Sequence, residues 1–308
     1  MKTIAIAGAG DFAKFVVEAL EEAGAYKIVV ISRARREWFA TRKSIEIRIT
    51  DYTLNSLKPL LLDVDVLFSC LHDNTSFYVQ GHNALLQACI SSPRCKRFVP
   101  SEYGGDIDKF PCIPRFYKDT HCAFREILRS EDHGVEWTLV NAGYFMDYFL
   151  PPDRTHMKPL PTVWPIGEKK ATIPGFGNEP IGFTMARDVA RGLIKFIEAP
   201  KWDEHIYMCA EITTWNDILD RMRTLGLKKP DYPVTYITPS ENEKEIEEHI
   251  NDTDPDVLWH LYMHEWSYSG ASAPPTDVVK VQRQKYFSDV RFETLQELLE
   301  ASVPSSVR

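Results

Sequence analysis

The chain has 308 residues, 44% of them hydrophobic and 26% charged, and carries a net charge of −8. That length allows about two domains, or one large α/β unit with an appendage, and the composition is that of a globular protein with ample core. The acidic balance argues against nucleic-acid binding, and no apolar run approaches the ~18 residues of a membrane span. The six cysteines, with no CxxC pair, read as reduced thiols of a cytoplasmic protein rather than a disulfide framework or a metal site.

The first apolar run, Thr3 to Ala7, follows one lysine and ends in glycines. It has the pattern of a strand buried on both faces, with no cleavage-site pattern of a secretory signal. Phe15, Val16, Ala19, Leu20 and Ala23 recur at helical spacing until Gly24 stops the helix. Strands are predicted at 27–31, 45–49, 64–71, 97–100 and 137–140, with helices at 54–62, around 79–90 and at 122–129. Strict alternation of strand and helix implies a parallel sheet with right-handed crossovers and helices on both faces, a doubly wound α/β Rossmann fold. After Leu150 the texture changes. Pro151, Pro152, Pro159, Pro161, Pro165 and Pro174, with Gly167, Gly175 and Gly177, mark loops and short strands. A helix at 186–197, a strand at 206–209 and a helix at 215–225 follow, then a charged helical region over 241–308, broken at 269–275. The expected organisation is a nucleotide-binding domain over 1–150 with a returning segment near 181–210. A smaller, mixed α/β substrate-binding region takes up 151–180 and 211–308.

Gly8-Ala9-Gly10-Asp11-Phe12-Ala13 is a G-x-G-x-x-A turn placed between a strand and a helix. Gly8 permits the tight turn, Gly10 lets backbone approach a pyrophosphate, and Ala13 allows close helix–sheet packing. The free N–H groups at the helix start, beside Asp11 and Phe12, bind the anion. A site for NAD usually closes its second strand with an acid that holds the ribose 2′-hydroxyl. Here that strand ends Ile31-Ser32-Arg33-Ala34-Arg35-Arg36, with no acid before Glu37. Ser32 as a donor, with Arg33 and Arg36 as charged forks, suits a 2′-phosphate, so NADP(H) is the expected cofactor.

With that turn, Arg33 and the segment Lys96-Arg97-Phe98-Val99-Pro100-Ser101-Glu102-Tyr103-Gly104, the chain resembles the NmrA-like, isoflavone-reductase-like atypical short-chain dehydrogenases, phenylcoumaran benzylic ether reductases among them. Further echoes are Thr50-Asp51-Tyr52, Val64 to Ser69, Asn141-Ala142-Gly143-Tyr144-Phe145 and Ala186-Arg187-Asp188-Val189-Ala190. The resemblance implies an NADPH-binding Rossmann domain, a variable C-terminal substrate region and a cleft between them. Ser69, at the end of the fourth strand, joins the expected cofactor contacts. One position departs from the family. Its reductases carry a lysine on the helix after the P-S-E-[FY]-G segment, and a gap-free alignment puts that lysine on Ala123. The nearest amine, Lys118, lies five residues earlier, about 140° away round a helix.

Hydride transfer needs little from the protein beyond orientation and a way to manage one proton. Candidates near the C-terminal edge of the sheet are Glu102, Lys118, Tyr103, His72 and His121. The expectation is that Glu102 and Lys118 stand together in the cleft, a carboxylate beside an ammonium giving one acceptor and one donor. Glu102, if partly buried, would have a raised pKa and act as an acid. The run Tyr144 to Phe149 mixes core packing with one wall of a pocket for a bulky, partly aromatic or alkaloid-like molecule. An NADPH-dependent reductase of secondary metabolism fits this reading. Two alternatives remain open, a non-redox rearrangement enzyme of semipinacol type that keeps NADP(H) bound, and a non-catalytic NADP(H)-sensing regulator. The small-molecule substrate is the expected partner of a monomer or homodimer, with no nucleic acid, membrane or metal.

Overall fold

The computed structural model describes residues 1–130, 132–158, 160 and 164–303. Pro159 and Pro161, read above as loop markers, lie outside the described residues, as do 304–308 of the C-terminal region. The chain opens with β1 (Lys2–Ala7), α1 (Asp11–Ala23), β2 (Tyr26–Ser32), α2 (Glu37–Ala40) and β3 (Ile45–Ile49). Next come α3 (Leu54–Leu57), β4 (Val66–Ser69), α4 (Phe77–Ser91), β5 (Arg97–Val99), α5 (His121–Arg129) and β6 (Glu136–Trp137). The six strands form one sheet in the order β3-β2-β1-β4-β5-β6, every neighbouring pair parallel.

Alternation within β1 shows why the sheet is covered on both faces. Ile4 and Ile6 pack with Val16 and Leu20 of α1, whereas Ala5 and Ala7 pack with Leu67, Leu85 and Phe98 on the opposite side. The chain winds outward from β1 to β3, then crosses back to β4, so the strand order reverses between β1 and β4. Ala7 stands level with Ile31 on one side and Ser69 on the other. Open α/β sheets hold their ligands in the crevice at such a reversal.

Two predicted elements come out differently. The helix at 54–62 is α-helical only over Leu54–Leu57 and continues as a 3₁₀ turn over Lys58–Leu61, because Pro59 has no N–H for the i→i−4 ladder. The strand at 137–140 is split. Glu136 pairs with Arg97 of β5, Thr138 donates its N–H to Phe98, and the chain then passes into β7 (Leu139–Asn141). There it pairs with β11 (His205–Tyr207), a strand that comes from much later in the chain.

The later elements are β8 (Tyr144–Phe145), β9 (Ala171–Pro174), β10 (Ile181–Thr184), α6 (Ala186–Phe196), β12 (Glu211–Thr213), α7 (Trp215–Thr224) and β13 (Val234–Ile237). The helices α8 (Pro239–His249), α9 (Pro255–Ser269), α10 (Thr276–Tyr286) and α11 (Leu295–Ala301) follow, and the break predicted at 269–275 separates α9 from α10. Val189 and Leu193 of α6 join the core around α1. A separate apolar cluster holds Tyr144, Phe183, Trp215, Met263 and Trp266, and it joins β8 and β10 to α7 and α9. No helix among the described residues is long and apolar enough to cross a membrane.

Candidate active site

The turn after β1 is built as its sequence requires. Gly8 holds φ +105° and donates its N–H to Ile31, and a Cβ there would lie 2.8 Å from the Cys70 carbonyl oxygen. Only glycine meets both demands. Gly10 is the N-cap of α1 in extended backbone, and a Cβ on it would meet nothing within 4 Å. No side chain caps the first turn of α1, and the Asp11 carboxylate within it is paired with Lys14 at 2.9 Å. The result is an open cradle of N–H groups at the reversal point, which fits a pyrophosphate.

Beyond β2, Arg33 and Arg36 are exposed, and neither has a carboxylate partner among the described residues. Arg33 lies over the Phe77 ring at 5.7 Å. Two guanidinium groups without a carboxylate partner, just after β2, fit a 2′-phosphate. Ser32 does not serve as expected, since its hydroxyl donates to the Ala34 carbonyl at 2.6 Å and tightens the turn. Ser69 is sealed in the core, its hydroxyl 2.9 Å from His82 Nε2, and has no face toward the crevice.

A cavity of about 570 Å³ opens from this turn along the C-terminal edge of β1, β4 and β5. Phe12 and Tyr103 form its floor, with ring centroids 4.5 Å apart. Tyr144, Phe145 and Tyr148 wall it as the sequence suggested, whereas Met146 and Asp147 turn into the core. Asp147 there accepts the Ala186 N–H at the start of α6. The opposite wall comes from Trp259, Met263 and Trp266 of α9, which the sequence reading missed. Their i, i+4, i+7 spacing marks one face of a helix, and that was the available signal.

The paired Glu102 and Lys118 do not exist. Lys118 lies exposed in a 3₁₀ turn over Arg115–Asp119 and does not line the cavity. Glu102 is buried, and Arg125 of α5 grips both of its oxygens, Nε at 3.0 Å and Nη2 at 2.6 Å. Burial pulls the Arg125 pKa down, but the charge and hydrogen bonds of Glu102 outweigh it and hold the guanidinium above its ordinary value. The third guanidinium nitrogen donates to the Pro111 carbonyl at 2.7 Å, so the pair anchors the loop before α5. Glu102 lines the cavity, but both of its oxygens are committed to Arg125, an arrangement that suits positioning.

Tyr103 is also committed. Its backbone has φ +39°, its hydroxyl donates to the Ser69 carbonyl at 2.9 Å, and burial pushes its pKa well above the usual phenol range. His72 stands on the loop after β4 at the cavity edge, its ring edge-on to Trp259 at 5.6 Å. Ala123, the position aligned with the family lysine, does not line the cavity; His121, two residues earlier on α5, does. Its imidazole is stacked between Tyr117 at 3.8 Å and Tyr78 at 4.0 Å. Thr120 donates its hydroxyl to Phe116, so it accepts from His121 Nδ1–H at 3.0 Å. That fixes the tautomer and leaves Nε2 as a free acceptor. Burial, then the charge of Arg125 and the neighbouring histidines, hold the His121 pKa well below the ordinary imidazole value. The site thus offers a neutral, oriented base in an aromatic pocket, with no group of three or more metal-ligating side chains among the described residues.

Comparison with known proteins finds relatives of this chain in sequence and in fold. The sequence model of the NmrA-like family matches residues 1–248. The chain is 38% identical over 298 residues to oxidoreductase swnR of Arthroderma benhamiae, covering 96% of this chain and 95% of that protein. Eugenol synthase 1 of Petunia hybrida is 30% identical over 210 residues, 65% of each chain. The binary complex of leucoanthocyanidin reductase and NADPH from Vitis vinifera superposes with a TM-score of 0.74 at 16% identity, covering 98% of this chain and 99% of that one.

Proposed function

Because the chain belongs to the NmrA-like family, we propose that it is an NADPH-dependent oxidoreductase that reduces a bulky, aromatic or alkaloid-like small molecule in secondary metabolism. One observation carries the reading: the aromatic cavity of about 570 Å³ opens directly onto the uncapped start of α1. The N–H groups around Gly10 would hold the pyrophosphate, and Arg33 and Arg36 the 2′-phosphate. NADPH bound there supplies a hydride.

The chain's own residues do the rest. Phe12, Tyr103, Phe145 and Trp266 enclose the substrate and exclude water, which strengthens each polar contact made inside. Glu102 and Arg125 hold the loop and helix that frame the pocket. His121 takes a proton from solvent at Nε2 and gives it, as the imidazolium, to the heteroatom that hydride makes basic, while Thr120 holds the ring in register from Nδ1.

Stoichiometric oxidation of NADPH against a panel of aromatic carbonyl, ene and nitrogen-heterocycle substrates tests the proposal. Consumption of NADPH matched by reduced product is the expected result. Product formed without NADPH oxidation would replace it with a rearrangement on the same scaffold. Tight NADPH binding with no turnover of any substrate would replace it with a nucleotide-sensing role.

A further inference from the structure

Four cysteines stand in two close pairs. The sulfurs of Cys89 and Cys95 are 3.3 Å apart, and those of Cys112 and Cys122 are 2.6 Å apart. The first pair is buried among Leu85, Phe98 and Leu128, out of reach of a dissolved oxidant. The second is half-exposed, one sulfur in the loop that Arg125 anchors at Pro111 and the other in the first turn of α5. Two partly exposed thiols already facing each other need little backbone movement to be joined.

We propose that Cys112 and Cys122 are a modification site, a dithiol that closes reversibly to a disulfide under a small-molecule disulfide oxidant. The thiolate of one cysteine attacks a sulfur of the oxidant, forms a mixed disulfide and releases one thiol. The second cysteine gives its proton to solvent, and its sulfur displaces the other half of the oxidant. Two S–H bonds are lost, one S–S bond forms, and the oxidant is reduced to two thiols. The Cys122 thiol donates to the Pro111 carbonyl at 2.5 Å, which leaves Cys112 as the sulfur that opens the exchange.

The consequence lies in what the ring encloses. The segment from Cys112 to Cys122 carries Phe116, Tyr117 and His121, all on the cavity wall. A bridge across its base staples that wall to α5. The Cys89–Cys95 pair encloses no residue of the cavity. It serves as an internal control.

The test uses the folded full chain, oxidised glutathione, alkylation with iodoacetamide and peptide mass spectrometry. The expected product is a peptide pair joined through Cys112 and Cys122, two hydrogens lighter than the reduced pair and restored by dithiothreitol. The bridged protein should melt about 4–8 °C higher, the scale of closing a short loop in a chain this long. Cys122→Ser should stop at one glutathione adduct on Cys112 and show no rise in melting temperature. Recovery of both cysteines as alkylated thiols, or each with its own glutathione and no bridge, overturns the proposal. No turnover is measured, so the outcome stands apart from the reductase reading.

Discussion

Arg125 binds Glu102 through two parallel hydrogen bonds of 3.0 and 2.6 Å, with both side chains almost fully buried. A buried pair of this kind owes its persistence to complete pairing, because an uncompensated charge in the same place is expensive. Glu102→Gln or Arg125→Met should therefore each destabilise the fold by about 3–5 kcal/mol. Replacing both together should recover much of that loss. Urea unfolding of the three variants checks this; additive losses in the double variant would show that the two residues do not act as a unit.

In the proposed function, proton management falls to His121, another of the sequence candidates, in place of the expected pair Glu102 and Lys118. His121→Asn should lower turnover by about 10²-fold while NADPH affinity stays unchanged. Lys118→Met, on an exposed turn, should keep turnover within about twofold of the parent, the scale of a surface change. Steady-state kinetics alongside nucleotide titration separates the two. The pH dependence has a defined sign. Burial, Arg125 and the neighbouring histidines hold His121 below 6.5, so its protonated fraction falls as pH rises through that lowered value. Nε2 carries a proton only in that fraction, so reductive turnover that draws on it should decline with rising pH. The reverse oxidation needs the neutral ring as acceptor, and it should rise and level off. His121→Asn should flatten both profiles.

The proposed preference for NADPH rests on the arginines after β2. Arg33→Ala should weaken NADPH binding by about 1.5–3 kcal/mol, the range of a charged hydrogen bond, and leave NADH binding nearly untouched. Ser32→Ala should leave the preference for NADPH intact, because the hydroxyl already serves Ala34. Isothermal titration with both nucleotides decides, and an equal loss for the two would sink the assignment of Arg33.

The two turn glycines should respond differently. Gly10→Val places its side chain in open space, so the fold should survive while nucleotide binding is lost. Gly8→Ala forces a Cβ against the Cys70 carbonyl at φ +105° and should lower the melting temperature itself. Near-normal NADPH affinity in Gly10→Val would show that this space does not receive the phosphates.

Acid should weaken the fold through His82. This fully buried ring donates Nδ1–H to the Tyr78 carbonyl and accepts at Nε2 from Ser69 and Ser101, and burial lowers its pKa from 6.5 to about 4. The unfolded chain binds the proton more readily, so this stability is fully present above pH 6.5. It is lost as pH falls toward 4, by about 3 kcal/mol in all. His264, lowered to about 3 by burial and then by His260, acts in the same direction. Unfolding free energies measured between pH 7 and 4 should fall along this course, and a flat profile would contradict it.

Much of this protein is determined locally. The apolar run of β1, the Gly8–Ala13 turn and the stop at Gly24 each follow from steric and periodic rules acting over a few residues. The parallel, doubly wound sheet follows from their repetition, and the run from Ser32 to Arg36, with no acid before Glu37, carries the expected nucleotide preference. What surrounds a titratable group is another matter. In the sequence, Glu102 has Lys118 and Arg125 at similar distances along the chain, and nothing local distinguishes them. Packing α5 against β5 buried Arg125 with Glu102 and left Lys118 in solvent. The same packing put His121 rather than Ala123 on the cavity, and a wall from α9 arrived from more than a hundred residues away. Desolvation and partner charge set what each group can do, and both are properties of the assembled fold.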